Sequence, residues 1–217
     1  MLVSEAVGRA LAELGVRHAF GVVGSGNFDV TNALVAAGAR YVAARHAGGA
    51  ATMADAYARM SGEVSVLTLH QGCGLTNAMT GITEAAKSRT SMLVLAAEAN
   101  APTSNFAVDQ AAMATAVGAS TARLDSAFDA MTETVRAFHL ARDERRTVVV
   151  NLPLGAQGQA APAGPPVAAV PPPAPLEPAI GDVHSRVSSC QSPSRDGRLA
   201  SGAASGAATM SRASTPE

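Results

Sequence analysis

Arg45-His46-Ala47-Gly48-Gly49-Ala50-Ala51-Thr52-Met53-Ala54-Asp55-Ala56-Tyr57-Ala58-Arg59 is followed by Val64-Ser65-Val66-Leu67-Thr68-Leu69-His70 and then by Gln71-Gly72-Cys73-Gly74-Leu75-Thr76-Asn77. The run reads as loop, helix, buried strand, glycine loop and helix start. Val64 to Leu69 is nearly continuous in its apolar character, which is the pattern of a strand covered on both faces. The loops at 45–49 and 71–74 each follow a strand and open a helix, where open parallel sheets place their ligand sites. A small ligand is therefore the first expectation.

The flanking sequence repeats this alternation. Ser4 is placed to cap a helix over residues 5–15, with Val7, Ala10, Leu11 and Leu14 at helical spacing and Gly15 as the stop. Residues 19–23 read as a short buried strand ending in the turn Gly24-Ser25-Gly26-Asn27. Residues 28–37 read as a helix with Leu34 and Val35 inward and Gly38 at its C-terminus, and residues 40–44 as a second strand. Beyond Asn77 the helix runs through Met79, Ile82, Ala85 and Ala86, followed by a strand at 91–97 and a polar loop at 98–105. A helix at 109–117, a weak strand at 119–124, a helix at 126–142 carrying Phe128, Met131, Val135 and Phe138 on one face, and a strand at 147–153 complete the series. Met53, Met60, Met79 and Met92 fall at core spacing. The pattern predicts an α/β fold: a doubly wound, mostly parallel six-stranded sheet with helices on both faces.

Residues 1–157 form this expected domain. Residues 158–178, including Pro171-Pro172-Pro173-Ala174-Pro175, have the composition of an extended linker, and residues 179–217 have that of a low-complexity, disordered tail. The net charge of -1 provides no basic surface for nucleic acid or an acidic membrane, and no apolar run is long enough to span a bilayer. Two distant cysteines, Cys73 and Cys190, give neither a disulfide framework nor a metal site. With no signal-type N-terminus, a cytoplasmic location is expected.

The central stretch resembles the N-terminal pyrimidine-binding domain of thiamine diphosphate-dependent enzymes of the acetolactate synthase, benzoylformate decarboxylase and pyruvate decarboxylase group. The matching motifs are Phe20-Gly21-Val22-Val23-Gly24, Arg45-His46-Ala47 with the helix Ala50 to Arg59, and Gly72-Cys73-Gly74-Leu75-Thr76-Asn77. The resemblance implies that Val23, Gly24, Ala47, Gly72, Gly74 and Asn77 hold the aminopyrimidine of thiamine diphosphate. It also implies that Ser25 and His70 stand beside the substrate, as in benzoylformate decarboxylase-like members. A histidine at position 70 suits proton shuttling, while capping the strand end through a backbone hydrogen bond is the structural alternative. His46 is expected to order its turn.

Two departures bear on activity. Ala47 stands where the family carries the glutamate that hydrogen-bonds the pyrimidine and drives cofactor activation, although a branch resembling glyoxylate carboligase works with an apolar residue there. Glu63, Glu84 and Glu98 are the neighbouring acids. Phe106 falls near an acetolactate synthase glutamine, before Val108-Asp109-Gln110, and argues against that activity. In the family the diphosphate and Mg2+ are held by another domain with a Gly-Asp-Gly motif; here the only Gly-Asp is Gly181-Asp182, followed by Val183. Three readings follow: a truncated enzyme that is inactive alone, the pyrimidine subunit of a split two-chain decarboxylase, or a non-catalytic module that kept the fold. The partner expected is a second copy of the chain or a diphosphate-domain chain.

Overall fold

The computed structural model describes residues 1–162. Its strands are His18–Gly21 (β1), Arg40–Ala43 (β2), Ser65–Leu69 (β3), Met92–Glu98 (β4), Ser120–Arg123 (β5) and Thr147–Pro153 (β6). The helices are Val3–Glu13 (α1), Phe28–Ala36 (α2), Ala47–Ser61 (α3), Cys73–Lys87 (α4), Gln110–Ala116 (α5), Ala130–Asp143 (α6) and the short Leu154–Gln157 (α7). The strands pair in the order β2-β1-β3-β4-β6-β5, all in parallel. Such pairing demands a crossover after each strand and buries both faces. Every residue of β3 and β6 is buried accordingly.

Alternation along β4 shows how the two cores are divided. Leu93 and Leu95 pack with Val7, Leu11, Leu34 and Phe138 from α1, α2 and α6 on one face. Met92, Val94 and Ala96 pack with Ala50, Ala54, Leu75 and Ile82 from α3 and α4 on the other. The second core consists mainly of alanines, so α3 and α4 can lie close to each other and to the sheet. At the foot of this face Asp55 is buried, accepting from the Thr90 Oγ1 at 2.6 Å and from Arg59, whose guanidinium also reaches Glu84 at 3.0 Å. That pair holds Arg59 firmly protonated and keeps the Glu84 carboxyl below its ordinary range. α3 is thereby fixed to the start of β4.

Several expectations are corrected by packing. Ser4 does not cap α1: Leu2 is the N-cap residue, the Glu5 carboxylate takes the Leu2 N–H at 2.7 Å, and the buried Ser4 hydroxyl donates to the Gln157 carbonyl. Val35 faces solvent, because Val30 and Leu34 already define the inner stripe of α2. Phe128 lies ahead of α6 and is exposed; Phe138 supplies the buried aromatic of that helix. Met92 is a core residue, but Met60, in the last turn of α3, is 87% exposed. Gln159 and Ala161 hydrogen-bond Val3 and Met1, so these first residues of the expected linker lie against the N-terminal segment. Residues 163–178 and the expected tail at 179–217 lie outside the described residues. Among the described residues no helix is long and apolar enough to cross a membrane, and no cluster of three or more potential metal ligands occurs.

Candidate functional site

The chain leaves β1 toward β2 on one side and returns to β3 on the other, so the loops after β1 and β3 diverge and open a crevice at the carboxyl ends of the strands. A cleft of about 250 Å3 lies there, lined by Val22, Val23 and Gly24 after β1, Arg45, His46 and Ala47 after β2, and Leu69, His70, Cys73, Gly74 and Asn77 around the end of β3. Six of the sequence-derived site residues, Val23, Gly24, Ala47, His70, Gly74 and Asn77, therefore share one wall system. Ser25 and Gly72 do not line it. Ser25 is exposed in the turn after β1, and Gly72 is buried beneath the loop at residues 101–107.

Local chemistry sets each loop. Asn27, 1% exposed, accepts from the Gly24 N–H at 2.8 Å and donates to the Val22 carbonyl and to the Thr68 Oγ1, each at 3.2 Å. The turn after β1 is thus tied to β3. The Gly26 N–H donates to Nδ1 of His70 at 3.3 Å, which ties the same turn to the end of β3. A Cβ at Gly24 would stand 2.9 Å from the His70 ring, so glycine there allows the two loops to close up. His46 orders the start of α3 by accepting the Gly48 N–H on Nδ1 at 3.1 Å. At the head of α4, Gly72 has φ 60 and ψ -104, and a Cβ there would lie 2.4 Å from the Phe106 carbonyl oxygen.

Phe106 was legible only as a substitution of residue type; its position was not. Its ring meets His70 edge-on, with centroids 5.2 Å apart. It also borders a second cleft of about 380 Å3 with Glu98, Asp109, Gln110 and Arg123. Phe106 thus lines the second cleft while its ring touches His70, a wall residue of the first. Asn27 and the Phe106 carbonyl are the site elements missed in the sequence; the Asn at the end of a Gly-Ser-Gly turn was the one available signal.

None of the three neighbouring acids reaches the first cleft. Glu98 pairs with Arg123 at 2.7 Å, Glu84 pairs with Arg59, and Glu63 accepts a short hydrogen bond from the Tyr57 hydroxyl. Burial and the adjoining Glu63 push the Tyr57 phenol up to about 12. The cleft wall carries one permanent cation, two imidazoles, a carboxamide and a thiol, and no carboxylate.

The family described as "Thiamine pyrophosphate enzyme, N-terminal TPP binding domain" matches residues 1–116. The chain belongs to this family. Within this thiamine pyrophosphate enzyme family, residues of the chain are 36% identical over 96 residues to the acetolactate synthase large subunit of Buchnera aphidicola subsp. Schizaphis graminum, covering 44% of the chain and 17% of that relative. They are 31% identical over 99 residues to the sulfoacetaldehyde acetyltransferase of Roseovarius nubinhibens, covering 46% of the chain and 16% of that relative. Among solved structures, the thiamine diphosphate-dependent 4-hydroxybenzoylformate decarboxylase of Rhodococcus jostii RHA1 superposes with a TM-score of 0.67 at 25% identity, over 75% of the chain and 32% of that structure. The chain thus spans about a third or less of the length of these relatives.

The residues present fit the pyrimidine end of a thiamine cofactor as a binding group. Val22, Val23, Leu69 and the two glycines offer apolar and close-approach walls, and Arg45, His46 and His70 offer donors for ring nitrogens. They do not fit an acid partner for that ring, since the wall holds no carboxyl group.

Proposed function

We propose that this domain binds the aminopyrimidine half of thiamine diphosphate, in an enzyme of the 2-oxo acid decarboxylase and carboligase type. The observation that carries this is the convergence of Val23, Gly24, Ala47, His70, Gly74 and Asn77 on one cleft at the topological switch of the sheet. Val23, Gly24 and Gly74 form the wall against which a flat ring stacks, and Asn77 closes the side at α4. His70, with Nδ1 occupied by the Gly26 N–H, carries the proton of its neutral ring on Nε2 and serves as a donor beside the reacting end of the substrate. Ser25, exposed at the rim, contacts substrate rather than cofactor. When bound, the cofactor supplies an electron sink for carbon–carbon bond cleavage and formation. The diphosphate and its Mg2+ are held by a second domain, on another polypeptide or another segment, so the domain alone supplies half of the site, needs that second domain for tight binding, and does not turn over.

A non-catalytic role is the second reading, favoured by the engagement of Glu63, Glu84 and Glu98 away from the cleft. Calorimetric titration with thiamine diphosphate and Mg2+, with and without a diphosphate-domain polypeptide, tests both. Tight binding only in the presence of the second polypeptide supports a shared cofactor site, and decarboxylation of a 2-oxo acid by that pair excludes the non-catalytic reading. Failure to bind under either condition, with the domain folded, overturns the proposal.

A further inference from the structure

The second cleft, at the carboxyl ends of β4 and β5, is rich in hydrogen-bond acceptors and short of donors. At its base Gln110 is 2% exposed. Its carboxamide nitrogen donates to the Ala97 carbonyl at 3.1 Å and to Oδ1 of Asn151 at 3.3 Å, which takes both amide hydrogens. Turning the amide over would set its oxygen against the Ala97 carbonyl, so the orientation is fixed. Oε1 is left buried with no partner among the described residues, a costly state for an acceptor. Glu98 and Asp109 stand on the same wall. Arg123, the cation of that wall, gives Nε to Glu98 at 2.7 Å and Nη1 to Asp125. Asp109 takes the Ala112 N–H at 2.9 Å as the N-cap of α5, and Asn100 takes the Gly155 N–H at 2.7 Å. Three carboxylates therefore surround one guanidinium. They do not converge as metal ligands, since no group of three or more such side chains occurs among the described residues. Phe106, half-buried, and Val108, 38% exposed, add an apolar side to the wall.

We infer that this second cleft binds a small primary alkylammonium ion, its N–H groups donating to Glu98, Asp109 and Oε1 of Gln110 and its stem lying against Phe106 and Val108. A primary ammonium has three donors and no acceptor, which complements two carboxylates and one unfilled amide oxygen. Its charge offsets the excess of carboxylates over Arg123. The aromatic ring and the valine favour a cation that carries hydrocarbon over a bare one. A volume of about 380 Å3 holds an ammonium on a short alkyl stem. An anion finds Arg123 already engaged by two carboxylates and is repelled. The site uses none of the residues assigned to the cofactor and does not rest on that reading.

The test is NMR titration of the full chain with n-butylammonium chloride, against tetramethylammonium chloride and sodium chloride at equal ionic strength. Proton–nitrogen correlation follows the Gln110 carboxamide and the Arg123 Nε–H. Saturable shifts of both signals are expected with butylammonium, and none with sodium or with tetramethylammonium, which carries the same charge but no N–H. Asp109→Asn keeps a residue able to cap α5 and removes the charge; it should weaken binding about tenfold, the loss of one charge-assisted hydrogen bond. Glu98→Gln should weaken it further, because Arg123 loses a partner and faces the ligand. Phe106→Leu should weaken butylammonium binding severalfold while leaving the Arg123 signal of the free chain in place. Glu13→Gln, on α1 and lining a different cleft, should leave the affinity unchanged. Equal shifts with tetramethylammonium, an unmoved Gln110 carboxamide, or undiminished affinity in both Asp109→Asn and Glu98→Gln would each overturn the inference. A chain that takes butylammonium but no thiamine diphosphate, even with a diphosphate domain, keeps this site and loses the cofactor reading.

Discussion

Replacing Asp55 by alanine removes the one carboxylate of α3 that fixes the helix to the start of β4, two turns beyond Ala47. Its hydrogen bond from Thr90 runs to a charged acceptor in a site where Thr90 is 3% exposed. Such a bond is worth about 1.5–3 kcal/mol, and an orphaned buried hydroxyl adds to the cost. The Arg59 contact contributes less, about 0–1 kcal/mol, since that side chain is 40% exposed and retains Glu84. The expected loss is about 3 kcal/mol, which for a chain of this size lowers the melting temperature by about 6–12 °C. Urea unfolding followed by circular dichroism measures it. Thr90→Val removes the donor as well, so the double variant should cost about 1 kcal/mol less than the sum of the single variants. A loss below about 1 kcal/mol for Asp55→Ala, or strict additivity of the pair, would refute the assignment of Asp55 as the anchor of α3.

Gly72→Ala combines an unfavourable backbone conformation with a clash against the Phe106 carbonyl; a loss of about 2–4 kcal/mol is expected, with faster amide exchange at residues 101–107, and a loss under about 0.5 kcal/mol would show that the loop yields freely. Tyr57 has a folded pKa of about 12 against an ordinary 10.0. The unfolded chain therefore releases this proton first, and the stability it contributes, fully present below pH 10, is lost as pH rises toward 12. Spectrophotometric titration should find neither tyrosine ionising at its ordinary value, since burial also raises Tyr41. Glu63→Gln should lower the Tyr57 value while burial keeps it above the ordinary one, and an unchanged midpoint in that variant would remove Glu63 as a cause.

The alternation of helices and apolar strands was legible because parallel strands, buried on both faces, leave continuous runs such as Val64 to Leu69 and Thr147 to Leu152. The glycine loops at Gly24 and Gly72 were legible because few other residues serve at those turns. What periodicity could not convey was lateral order: nothing local in Thr147 to Pro153 says that it lies between β4 and β5. Single positions failed where a distant partner intervened. Ser4 is drawn to Gln157, and Phe106 folds back on Gly72 and His70 across more than thirty residues. Val35 and Met60 fit an apolar count but fall off the inner stripe once neighbouring residues have filled it. The six cleft residues were identified by motif, whereas the donor-rich character of their cleft emerged only with the two imidazole hydrogen bonds.

The interior position of the last strand has a consequence for biosynthesis. Because β6 pairs with β4 on one side and β5 on the other, a growing polypeptide that has not yet released Thr147 carries β5 without a neighbour and β4 with an open edge. Both are ready templates for pairing with another chain. The sheet can therefore close only once β6 has emerged, and until then those two edges stay open to pairing with another chain.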